Sequence, residues 1–162
     1  MMEIRLATAE DADGIWALLQ PVFRAGDTYA IDPQITRDAA LAFWMGQAAC
    51  YVAVDDGAII GTYYIKTNQQ GGGAHICNCG YIVAQHAQGR GVAATICAHS
   101  QQSAAAMGYR ATQFNLVLAS NTGALRLWTR LGFATVGVIP DAFDHPTLGL
   151  VDAHVMYKSL IG

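Results

Sequence analysis

Gln88-Gly89-Arg90-Gly91-Val92-Ala93 is the stretch whose residue types and spacing point most directly to chemistry. Glycines two positions apart let a backbone approach an anion with no side chain in the way. The apolar run Gly80-Tyr81-Ile82-Val83 precedes it and reads as the end of a strand, and Ala93 to Met107 reads as a helix. The first N–H groups of a helix have no partner inside it, and the helix dipole favours negative charge there. Strand, glycine turn and helix therefore make a seat for a pyrophosphate. A P-loop is excluded because no Gly-Lys-Ser/Thr follows. The dinucleotide fingerprint is excluded because position 94 is Ala, and because Tyr109-Arg110-Ala111 stands where an acidic ribose contact belongs.

Two amides lie inside apolar strand-like runs, Asn78 and Asn115. Asn is disfavoured in strands because its polar atoms need partners. Each is expected to contact substrate, since a carboxamide can bond a carboxylate or hold a water; a local backbone role is the plainer alternative. Asn121 is placed to cap a helix over 122–131. His75, Cys77 and Cys79 share one strand face by period two. No second cysteine pair follows, and zinc ligands usually stand two to four residues apart, so no metal is expected. The thiols, Cys97 among them, read as core residues, and an acyl-cysteine route would need a positioned histidine that nothing marks. Asp152 with His154, and Asp144 with His145, could assist deprotonation near neutral pH, although surface or core filler is the plainer reading.

Positioning these residues requires a series of elements. Glu3 to Ala7 reads as a strand and Thr8 as a cap before an acidic turn. Ile15, Trp16, Leu18, Leu19 and Val22 make the apolar stripe of a first helix. Thr36 caps a second helix carrying Leu41, Phe43, Trp44 and Met45. Asp55-Asp56-Gly57 between two β-prone runs marks a hairpin. Strands follow at 74–83, 111–118, 133–139 and 150–158, with a short helix over 123–131 and a Pro140–Pro146 connection. The strands from 74 and 111 flank a helix and so should pair in parallel. The expected fold is mixed α/β: a twisted sheet of about seven strands with helices on both faces.

The chain has 162 residues, a natural size for one domain over 1–162. Its nine Lys and Arg never cluster, which argues against a nucleic-acid surface and against a polybasic membrane contact. No signal peptide opens the sequence and no apolar run is long enough to span a bilayer, so a cytoplasmic protein with reduced thiols is expected.

Gln88, Gly91 and Ala93 fit Gln/Arg-x-x-Gly-x-Gly/Ala, which resembles the coenzyme A pyrophosphate loop of the GNAT superfamily of acetyl-CoA-dependent N-acetyltransferases. Ser120-Asn121, then Ala124 to Trp128 and Leu131-Gly132-Phe133, are similar to that family's signature after its fifth strand. The resemblance covers residues 76 to 140 best. More narrowly, residues 75–80 and 114–121 look like the branch with fungal acetyltransferases of proline analogues such as azetidine-2-carboxylate.

The resemblance implies direct acetyl transfer from acetyl-CoA to a small-molecule amine, with two strands splaying apart. The backbone around Tyr81, Ile82 and Val83 would meet the pantetheine and thioester. Gln88, Gly89, Arg90, Gly91, Val92 and Ala93 would hold the pyrophosphate. Asn121 and Trp128 would touch the coenzyme, and Asn78 and Asn115 the acceptor. The Gly26–Pro33 loop would wall the acceptor pocket. Trp128 stands where many relatives have a tyrosine proposed as the thiolate's acid, and indole does not titrate. A catalytically silent acyl-CoA-binding module therefore stays open as an alternative, as do protein N-termini, polyamines and antibiotics as acceptors. A homodimer is expected because dimers are common in that superfamily.

Overall fold

The chain runs β1 (Met2–Leu6), α1 (Ala12–Ala25), α2 (Arg37–Met45), β2 (Ala49–Asp55), β3 (Ala58–Thr67), β4 (Ile76–Val83), α3 (Val92–Ala106), β5 (Ala111–Leu118), α4 (Thr122–Arg130), β6 (Ala134–His145) and β7 (Gly149–Ser159) in a computed structural model that describes residues 1–162. The strands form one sheet in the order β1-β2-β3-β4-β5-β7-β6. Every neighbouring pair is antiparallel except β4 with β5, which is the expected parallel pair.

Consecutive residues of a strand point to opposite faces, and Tyr63 and Tyr64 show what covers each face. The Tyr63 hydroxyl lies 2.7 Å from His99 Nδ1 on α3. The Tyr64 ring packs edge-on against Phe43 and Trp44 of α2. Trp44 is fully buried, and its indole N–H donates to Thr62 Oγ1 at 3.0 Å, which in turn donates to the Tyr51 carbonyl. That chain satisfies the buried polar groups and fixes α2 on the sheet.

Local signals account for most of the elements. Thr36 Oγ1 accepts from the Ala39 N–H at 3.2 Å and caps α2. Asp56 and Gly57 both have positive φ and turn the β2–β3 hairpin. The Asp11 carboxylate accepts from both terminal Arg5 guanidinium nitrogens and from the Thr8 N–H, tying β1 to the entry of α1. The Arg5 hydrogen bonds, seconded by Thr8, hold that carboxyl down at about 2.

One segment differs from expectation. Pro140 to His145 is not a connection but the second half of β6, which runs twelve residues to His145. Its register against β7 slips between Ile139 and Phe143, and the Asp141 N–H donates to Asp152 Oδ1 across the slip. Proline is tolerated there because β6 is an edge strand and the bulge needs no ladder donor.

Candidate active site

The parallel ladder between β4 and β5 holds only two pairs, Ile76 with Ala111 and Cys77 with Thr112. Past Cys77 the strands part. The backbone of β4 then has two sides. Asn68 N–H donates to the Ile76 carbonyl and Ala84 N–H to the Ile60 carbonyl, so even-numbered positions serve the β3 side. Arg110 N–H donates to the His75 carbonyl, so odd-numbered positions face β5. Cys79, Tyr81 and Val83 therefore turn their peptide groups into the gap.

The gap opens into a cavity of about 410 Å³. Its lining includes Phe43 and Tyr64 from the α2 face and Ala124 and Trp128 from the α4 face, so it passes through the sheet at the splay. Gly80 makes room for one wall: a Cβ there would stand 2.5 Å from Tyr64 Cε2. Thr28, Tyr29, Ala30 and Ile31 of the α1–α2 loop form another part of the lining.

The glycine loop lies at the N-terminus of α3. Gly89 and Gly91 both have φ of +78°, and Gly91 is the N-cap. The N–H groups of residues 89 to 94 donate to no group in the chain, because the first bond of the helix runs from Thr95 to Gly91. Six free donors at a helix N-terminus match a pyrophosphate in charge and in hydrogen-bonding need. The residues present thus fit coenzyme A, with the loop for its pyrophosphate and the β4 gap for its thioester arm.

The other expected residues divide. Tyr81, Ile82, Val83, Gln88, Asn121 and Trp128 line the cavity. Trp128 packs on the Tyr81 and Phe114 rings, 5.1 Å from each centroid. Asn121 Oδ1 caps α4 by accepting from the Ala124 N–H, which leaves its amide nitrogen free. The Val92 side chain is buried in the core. The Arg90 side chain is turned to Asp55, 2.8 Å away.

Asn78 and Asn115 both line the cavity. They share the α2 face, since Cys79 and Phe114 beside them point the other way. Asn78 makes no side-chain hydrogen bond within the chain. Asn115 is exposed, not buried: its nitrogen donates to Asn68 Oδ1 at 2.7 Å, and its oxygen accepts from Gln113.

The thiols and histidines take other places. Cys77 and Cys79 are buried, and Cys77 Sγ lies 3.3 Å from Thr112 Oγ1. The hydrogen bond to Cys77, together with burial, pushes the Cys79 thiol well up, away from the nucleophilic thiolate. His154 meets Thr135, and Asp152 serves the β6 bulge, so the two do not pair with each other. His145 accepts from the Thr147 and Leu148 N–H groups and borders a small polar hollow with Asp27, Thr28, Ser120 and Asn121.

Tyr29 was not singled out by sequence. Its phenol oxygen accepts from the Tyr81 N–H and donates to the Tyr81 carbonyl, each at 2.9 Å. It is the one side chain bonded to the β4 backbone inside the splay. A large aromatic in a Gly- and Asp-bearing loop was the only available signal. Burial pushes the phenols of Tyr29 and Tyr81 far above their ordinary values, so both stay protonated.

Comparison with known proteins agrees with this geometry. The profile of the acetyltransferase (GNAT) family matches residues 13–133. The chain is 31% identical over 150 residues to the N-acetyltransferase aca1 of Schizosaccharomyces pombe, covering 80% of this chain and 71% of that protein. A GCN5-related N-acetyltransferase from Kribbella flavida superposes with a TM-score of 0.93 at 39% identity, covering 98% and 97% of the two chains. The protein yncA from Salmonella typhimurium, solved with its cofactor acetyl-CoA, has the same fold with a TM-score of 0.88 at 18% identity, covering 100% and 95%.

Proposed function

The chain belongs to the acetyltransferase (GNAT) family and is an acetyl-CoA-dependent N-acetyltransferase, and from that premise we propose that its acceptor is a small amine, with an amino acid or proline analogue leading. The observation that carries this reading is the ladder that stops after Cys77. It leaves peptide groups on odd positions of β4 facing a cavity that the α1–α2 loop helps to line.

Acetyl-CoA supplies an activated acetyl group to this site. The N–H groups of Gly89 to Ala94 hold its pyrophosphate, Asn121 and Trp128 flank its arm, and the Tyr81 N–H takes the thioester oxygen as charge develops there. Holding both reactants in one cavity through the sheet supplies much of the rate by proximity. Asn78 and Asn115 project to the face where the acceptor enters, and a carboxamide there suits an acceptor carboxylate. The likeness to the S. pombe N-acetyltransferase is consistent with the fungal branch that residues 75–80 and 114–121 resemble. The apolar residues exposed on the outer hairpin, Val136, Val138, Leu148 and Leu150, support a homodimer, which sedimentation tests.

The deciding experiment is thiol release from acetyl-CoA across a panel of amines: azetidine-2-carboxylate, proline and other amino acids, polyamines, aminoglycosides and N-terminal peptides. Turnover concentrated on carboxylate-bearing small amines is the expected result. Preference for a peptide or polyamine would overturn the acceptor assignment. Binding of acetyl-CoA with no turnover on any amine would leave a silent coenzyme-binding module.

A further inference from the structure

The geometry points to Tyr29 as a catalytic residue of this reaction: its phenol O–H is the second donor to the thioester oxygen, beside the Tyr81 N–H. This rests on the reading of the β4 gap as the seat of the thioester.

The Tyr29 oxygen sits 2.9 Å from the Tyr81 nitrogen and 2.9 Å from the Tyr81 carbonyl oxygen. Those two groups would bond to β5 had the ladder continued. The phenol oxygen thus stands in for the oxygen that the Tyr81 N–H is there to hold. One N–H does not serve two oxygens at full strength, so an entering carbonyl oxygen displaces the phenol from that donor. The phenol does not travel far. Its ring is held edge-on by Phe23 and Trp44, with centroids 5.8 and 6.0 Å away. The far end of its loop is tied where Arg24 donates to the Pro33 carbonyl. The O–H released from the Tyr81 carbonyl is left next to the incoming oxygen.

Catalysis favours interactions that strengthen in the transition state. A phenol bonded to a neutral peptide carbonyl exchanges it for a bond to an oxygen gaining charge, and charge-assisted bonds are about twice as strong. As the amine nitrogen bonds to the acetyl carbon, the carbonyl π pair moves onto that oxygen. The pair returns as the C–S bond breaks and the thiolate departs with its electrons, and the amine proton passes to solvent. The Tyr29 proton stays on the phenol throughout. Burial, which keeps this phenol neutral, suits a donor that never transfers its proton. The one hydroxyl on β4 itself, Tyr81 Oη, is already engaged with Ser100 at 2.7 Å.

The alternative is that Tyr29 merely closes a backbone gap. Infrared difference spectra of bound acetyl-CoA, labelled with 13C at the thioester carbonyl, separate the two. In the parent the carbonyl band shifts down on binding. In Tyr29→Phe it returns part of the way, calorimetric affinity for acetyl-CoA is kept, and kcat falls by about a hundredfold, the loss typical of one oxyanion donor. A fluorinated tyrosine at position 29, isosteric and a stronger donor, deepens the shift. The same band position in parent and Tyr29→Phe, or an undiminished kcat, overturns the proposal. If Tyr29→Phe fails to fold, an unchanged band in the fluorotyrosine protein overturns it instead. A band that depends on Tyr29 in a protein that acetylates no amine would sink the acceptor reading and leave this site standing.

Discussion

Gly91→Val tests the loop most directly. Gly91 is the N-cap of α3 with φ of +78°, and a Cβ built there meets nothing within 4 Å. The cost of the substitution is therefore conformational and not a clash inside the chain. An ordinary residue pays about 1–2 kcal/mol to hold that left-handed geometry. If residue 91 holds it, the isopropyl group stands among the free N–H groups that face the pyrophosphate. If it relaxes, the peptide groups of 91 and 92 turn away. Either way at least one charge-assisted hydrogen bond is lost, about 1.5–3 kcal/mol. Each 1.4 kcal/mol is about tenfold in affinity, so binding of acetyl-CoA should weaken by roughly ten- to a hundredfold.

Gly108→Val is the matched control. Gly108 also has positive φ, +97°, with nothing within 4 Å of a built Cβ, but it lies past the far end of α3. Both variants should lose similar thermal stability, and only Gly91→Val should lose affinity by calorimetry. Unchanged affinity in folded Gly91→Val would refute the assignment of the loop.

Trp128→Phe should keep most of its turnover and lose coenzyme affinity, because indole packs but does not titrate; a kcat loss of about a thousandfold, near 4 kcal/mol in barrier, with normal binding would make Trp128 part of the chemistry. Asn78→Ala and Asn115→Ala should each lower acceptor kcat/KM by roughly ten- to a hundredfold, the value of a bond to a charged group, while acetyl-CoA affinity holds. Parent-like acceptor kinetics in both folded variants would place the acceptor elsewhere. Asp11 has its carboxyl depressed by Arg5, so its contribution to stability is complete above about pH 4 and is lost as pH falls toward about 2. The melting-temperature difference between Arg5→Met and the parent should therefore shrink on acidification over that range; a difference constant with pH would refute the ion pair as its source.

The glycine loop and the Asp55–Gly57 hairpin were legible because each is written in a few adjacent residues. The two amides were legible as oddities, each within its own strand. What surrounds them was not. Asn68 lies 47 positions from Asn115, and no local pattern announces that their amides meet. Tyr29 and Tyr81 are 52 positions apart, and their contact exists only because a ladder bond does not. The Pro140–Pro146 stretch misled because proline and aspartate read as a connection, whereas an edge strand with a bulge accommodates both.

The absence of pairing also has a structural cause away from the site. The register of β5 against β7 slips between Phe114 and Val117, just beyond the last residue of β5 that pairs with β4. A bulge bends its strand and increases local twist, so β5 turns away from β4 where Tyr81 needs an open side. The parting of β4 and β5 thus goes with pairing on the far edge of β5, through β7. The same β4 that uses its even positions to hold the sheet together thus turns its odd positions beyond Cys77 into the gap. Tyr29 covers those odd groups at Tyr81, where a buried peptide without a partner would cost about 1–3 kcal/mol. One phenol thus meets both the donor and the acceptor of a single backbone position that the ladder leaves unpaired.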